Sequence, residues 1–102
     1  MDMMKFTSAM LDAIEHCARE AQIDVEWRSV CVGDMRDAYD LLARKLARAG
    51  TDPKVQAKGI EITMALDGNI SELQQLLADD APESVVVEKL QMIVTAIGHL
   101  RE

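Results

Sequence analysis

Aromatic side chains are almost absent from this sequence. One Phe, one Trp and one Tyr make up 3% of its 102 residues, while Ala, Leu, Val, Ile and Met are abundant. Sandwiches and barrels lean on aromatics, so a core of this kind points to packed helices. No apolar run approaches the roughly 20 residues needed to span a bilayer. The start, Met1-Asp2-Met3-Met4-Lys5, lacks the cationic opening and long apolar stretch of a secretory signal. A soluble cytoplasmic protein is the expectation. Cysteine is scarce too, and Cys17 and Cys31 suit no zinc spacing and no Cys-x-x-Cys redox motif. Each stands among apolar neighbours and reads as a small buried hydrophobe in a reducing compartment. Positive charge is also short: 11 Lys and Arg against 18 Asp and Glu, a net of −7. That balance argues against general nucleic-acid binding, which meets phosphates with cations.

What is present is a normal globular mixture, 49% hydrophobic and 28% charged, enough for one domain over residues 1–102. The charge is unevenly spread. Between Arg44 and Lys58 five cations face Asp52 alone, a net of +4, so the rest of the chain carries −11.

Two stretches punctuate the chain. In "RAGTDPKV", Gly50 stands where a helix C-terminal glycine belongs, followed by Asp52 as N-cap and Pro53 at the first helical position. "LADDAPESV" repeats the pattern, with Asp80 or Ser84 as cap and Pro82 near the first turn. Thr7 or Ser8 can cap a first helix. Four segments result: 8–22, 25–49, 53–79 and 83–101.

The first places Phe6, Met10, Ile14, Cys17 and Ala21 on one stripe. In the second, a strand over 25–32 would leave neither face cleanly apolar. As a helix, Trp27, Val30, Cys31, Met35, Ala38, Leu41, Leu42 and Ala49 share a stripe flanked by Val32, Tyr39 and Leu46. Gly33 inside it costs about 1 kcal/mol, less than the roughly 1.5–3 kcal/mol that each large buried side chain contributes. On the polar side Asp40 precedes Arg44 in the favourable order for an i, i+4 pair. A helix is the reading, with a break at Gly33 as its risk. In the third segment "GIEITMALDGN" carries a strand signal, and Asn69 with Glu72 could cap a new helix. Yet Val55, Gly59, Ile62, Leu66, Ile70, Leu73 and Leu77 keep helical spacing throughout, which predicts one long helix, kinked at most near Gly68. In the last, Val86, Leu90, Ile93, Ile97 and Leu100 form the core face. The predicted fold is all-α: an antiparallel bundle of about four helices with a long central hairpin.

These phases leave Ala57, Ile60 and Met64 facing away from the core on one helix, and Val85, Met92 and Ala96 on the next. Second apolar stripes on adjacent helices predict a partner surface and a homodimer. Motifs of catalysis are missing: no G-x-S-x-G, no Gly-rich phosphate loop, no HExxH and no ExxH pair. His16 and Glu20 share a helix face, but a solvated surface explains them, and no cofactor or metal is expected. His99 reads as complementing the dipole at the end of the last helix, as do Arg44, Lys45 and Arg48 for theirs. Lys54 and Lys58 sit at a helix N-terminus, where cations are unfavourable, so the cluster is more than dipole matching.

The expected function is a small acidic, non-enzymatic protein-binding module. Inhibitors, immunity proteins and antitoxins, anti-activators and chaperones fit this size and charge. The candidate contact residues are Ile60, Met64, Met92, Arg44, Arg48, Lys54 and Lys58. Two other classes stand as alternatives: a helical enzyme or ligand-binding bundle with a site across a dimer, and a nucleic-acid-associated regulator using the basic tip.

Overall fold

A computed structural model describes residues 2–50 and 52–101. The single-domain expectation also takes in Met1, Thr51 and Glu102, which lie outside the described residues. Four helices account for nearly all the described residues: α1 (Met3–Ile23), α2 (Arg28–Ala47), α3 (Pro53–Ala78) and α4 (Glu83–Leu100). Each packs on its chain neighbours, α4 returns to α1, and the diagonal pairs scarcely touch. The result is an antiparallel four-helix bundle 43 Å long and about 20 Å across. No strand occurs among the described residues. The longest helix is α3, at 26 residues, against 21 for α1 and 20 for α2.

Helix ends show where local chemistry decides. Asp2, rather than Thr7 or Ser8, caps α1, accepting from the amides of Met4 (2.9 Å) and Lys5 (3.4 Å). Thr7 is buried one turn inside, its hydroxyl donating to the Met3 carbonyl at 2.7 Å. The start of α2 is delayed to Arg28, because the Asp24 carboxylate holds the Trp27 amide (3.1 Å) in a turn. From there α2 runs unbroken past Gly33. Asp52 caps α3 as expected, with Pro53 behind it, and Gly50 takes the left-handed conformation at φ +83°. Asn69 starts no new helix, since its amide donates back to the Ala65 carbonyl (2.8 Å) and α3 continues through Gly68. At its far end Asp80 turns left-handed, φ 52°, and the Ala81 amide reaches back to Leu76. Neither Asp80 nor Ser84 caps α4; Pro82 holds that position without a side-chain bond.

Core phases follow the spacing on α3 and α4. Val55, Ile62, Leu66, Ile70 and Leu73 are buried, as are Val86, Leu90, Ile93, Ile97 and Leu100, with Val94 added. The other two helices are rotated from expectation. On α1 the core takes Thr7, Leu11, Ile14, Ala18 and Ala21, leaving Phe6, Met10 and Cys17 half-buried. On α2 the expected flank is the core: Val32, Tyr39 and Leu46 are buried with Met35 and Leu42. Trp27 is 57% exposed, Val30 51% and Leu41 37%. The rotation has a physical cause, since α2 must present one face to α1 and another to α3. Buried Arg28 and Tyr39 fix that orientation, and Arg36 secures it from the α3 side.

Candidate interaction surface

The outward face of α3 is the strongest candidate for contact. Ile60 is 62% exposed and Met64 81%, one turn apart near the middle of the longest helix. A groove of about 440 Å³ between α2 and α3 runs along one side, floored by Ala43, Leu46, Ala47 and Ile62 with Ile60 and Met64 on its wall. On the other side a groove of about 670 Å³ between α3 and α4 lies between Met64 and Met92, over Ala65 and Ala96. Ile60, Met64 and Met92 of the two expected outward stripes therefore share one surface, joined by Met64, while Ala57 and Val85 line neither groove and Ala96 is partly buried against the core. The rims of that surface carry Gln56 and Thr63 on one side, and Gln91, Thr95, Glu88 and His99 on the other.

The basic residues divide. Arg44, Lys45, Arg48 and Lys54 are exposed at the α2–α3 turn, and none makes an ion pair within the described residues. The expected Asp40–Arg44 pair does not form; Asp40 lies 3.5 Å from Arg36 instead. Arg36 is drawn there by α3, donating to Asp67 (3.0 Å), Ser71 (2.7 Å) and Gln74 (3.1 Å) while stacking over the Tyr39 ring. Lys58 stands apart from the other cations. Its ammonium donates to the Leu100 carbonyl, closing the C-terminal end of α4 onto α3, with Glu61 at 3.7 Å.

Sequence reasoning missed the α1–α2 turn. Ile23 (79% exposed), Val25 and Trp27 stand out from it beside Asp24 and Glu26, and Val30 follows in the first turn of α2. The signal was there in the alternation of apolar and acidic residues across "IDVEW", which suits an exposed turn as well as a helix start. Beneath it lies the one buried charge among the described residues, Arg28. The guanidinium donates to the Ala21 carbonyl at 2.7 Å and grips both oxygens of Glu83. This pair drives the Glu83 carboxyl below its usual range, the hydrogen bond from Arg28 being the main cause.

Both cysteines are half-buried and reduced. Burial pushes each thiol above its ordinary value, and nearby acids add to it: Asp34 for Cys17, Asp24 and Glu20 for Cys31. His16 is exposed, and no group of three His, Cys, Asp or Glu among the described residues is placed to hold a metal. No helix among the described residues is long and apolar enough to cross a membrane. No protein-family model, no curated protein and no solved structure matches the chain.

Proposed function

We propose that the chain is a non-enzymatic protein-binding module, of the inhibitor, immunity, anti-activator or chaperone type, whose contact surface is the outward face of α3. The observation that supports this most is Met64, 81% exposed on the ridge between two apolar-floored grooves. Exposed apolar surface at adjoining positions on neighbouring helices marks contact sites more often than scattered single residues do. Grooves with apolar floors and polar rims that carry Glu88 but no Lys or Arg suit an apolar helix of another protein, which would lay side chains at i, i+3 and i+4 along them. Nucleic acid would call for cations on those rims, and the cations stand instead at the α2–α3 turn. Self-association as a homodimer belongs to the same reading.

The test compares proteins captured from lysate by the wild type, by Ile60→Lys/Met64→Lys, and by a control variant, Lys5→Glu, at an exposed position of α1 that makes no ion pair among the described residues. A partner held by the wild type and control and lost by the α3 variant supports the reading. A partner lost equally by the control, or held by all three, counts against it.

A further inference from the structure

The outward face of α2 carries a charge pattern that nothing inside the bundle uses. Trp27, Val30, Asp34, Asp37, Leu41, Arg44 and Arg48 follow one another at alternating spacings of three and four, with Lys45 beside Arg44, and all are exposed. Such spacing keeps these side chains together on one face of the helix. Along it the charge changes sign once: two acids before Leu41, three cations after. Among the described residues, Asp34, Asp37, Arg44, Lys45 and Arg48 form no ion pair. The dipole of α2 accounts for Arg44 and Lys45 in its last turn. It does not account for Asp34 and Asp37, which lie beyond the first turn, where the effect fades, while the first turn itself has no acid.

We propose that two copies of the chain pair through this face, antiparallel, about a twofold axis at Leu41. The pattern is self-complementary only in that direction. Asp37 and Lys45 each lie four residues from Leu41, and Asp34 and Arg48 each lie seven. With the helices antiparallel, Asp37 of one copy meets Lys45 and Arg44 of the second copy, and Asp34 meets Arg48. Symmetry repeats both sets, as in any isologous contact. A parallel pairing would put acid on acid and cation on cation. Leu41 packs against its own counterpart at the axis.

The shape of the bundle agrees. A standard interface takes roughly 800 Å² from each partner, and a side 43 Å long and about 20 Å wide has room for it. An end of 22 by 20 Å does not. This pairing names the copy and the surface for the self-association in the reading above, and leaves α3 free for another protein.

The test is a charge exchange read by light scattering and native mass spectrometry in low salt. Wild type should be a dimer that dissociates as salt is raised toward 1 M, where the screening length falls to about 3 Å. Asp34→Lys/Asp37→Lys has an all-basic seam, Arg44→Glu/Lys45→Glu/Arg48→Glu an all-acidic one, and each alone should be a monomer with helicity retained. Mixed in equal amounts, the two should form a heterodimer in low salt. A wild type monomeric at every concentration tried, variants that still dimerise alone, or a mixture that stays monomeric would each overturn the proposal. Ile60→Lys/Met64→Lys should remain a dimer. Its dissociation would move the dimer to α3, sinking this inference while leaving the α3 contact surface standing.

Discussion

Arg28 and Glu83, 55 residues apart, close one end of the bundle through a two-pronged ion pair of 2.6 and 3.0 Å. The pair joins the start of α2 to the start of α4, and a third bond from the same guanidinium holds the last turn of α1. Three helix ends thus meet on one side chain. Removing it leaves the Ala21 carbonyl and the carboxylate without their donor. Arg28→Ala should lower stability by about 1.5–3 kcal/mol, the range for hydrogen bonds to charged groups. Urea denaturation checks this, and Glu83→Gln should also lower the midpoint, since it leaves the buried Arg28 guanidinium without its counter-charge.

Stability should also fall in acid. Glu83 is held below the ordinary carboxyl value of 4.5 by Arg28, and Glu15 by Arg19 first and then by Arg101. A carboxyl whose folded value is depressed contributes its full stabilisation above the unfolded value. The contribution is lost as pH falls from about 4.5 through the lowered folded values. Urea midpoints measured from pH 7 to pH 3 should drop in that window, and Glu15→Gln/Glu83→Gln should flatten the drop.

The thiols should react slowly with a neutral-pH labelling reagent. Burial raises both above the ordinary 9.0, so the reactive thiolate is scarcer than in an unfolded chain. The rate against pH should be displaced to higher pH for both, and Asp34→Asn should bring the Cys17 curve partway back. Rapid labelling of both in the folded protein would contradict this packing of α1 on α2.

The two sides of α3 should respond differently to change. Leu66 is fully buried, so Leu66→Ala should cost about 2–5 kcal/mol through lost burial and the cavity left behind. Ile60→Lys/Met64→Lys should shift stability by no more than about 0.5 kcal/mol per site, as is usual for exposed positions. Circular dichroism melts of the two variants provide the comparison.

Glycines offer a gain. A methyl group placed on Gly33 or Gly68 meets nothing within 4 Å, and both residues lie in helix interiors. Alanine at either should stabilise by roughly 0.5–1 kcal/mol. Gly50→Ala should destabilise, because φ of +83° is strained for any side chain. A rise in melting temperature on that last change would contradict the turn.

Much of the architecture was legible in the residues alone. Strong aliphatics at helical spacing on α3 and α4 have no rival face of equal weight, so burial leaves one choice. The turn at Gly50-Asp52-Pro53 is local chemistry, since left-handed backbone, capping and a missing amide donor need no distant partner. Ile60, Met64 and Met92 were found as what remained once those faces were assigned. The phase of α2 was different. It carries large apolar groups on two sides, Trp27, Val30 and Leu41 against Val32, Tyr39 and Leu46, and the free energy of burying either set alone is similar. Only the neighbours decide. Arg28 must lie inward to bond Ala21 and Glu83, Arg36 must face Asp67 and Ser71, and those partners come from α1, α3 and α4. Lys58 follows the same logic, since the carbonyl it caps lies 42 residues away. Periodicity within one segment thus determined the number of helices and the faces of α3 and α4. The faces of α1 and α2, the joining of the Ile60–Met64 and Met92 stripes, and the fate of each charge rested on polar contacts between segments. Such contacts depend on which helices become neighbours, and spacing along one chain carries no information about that.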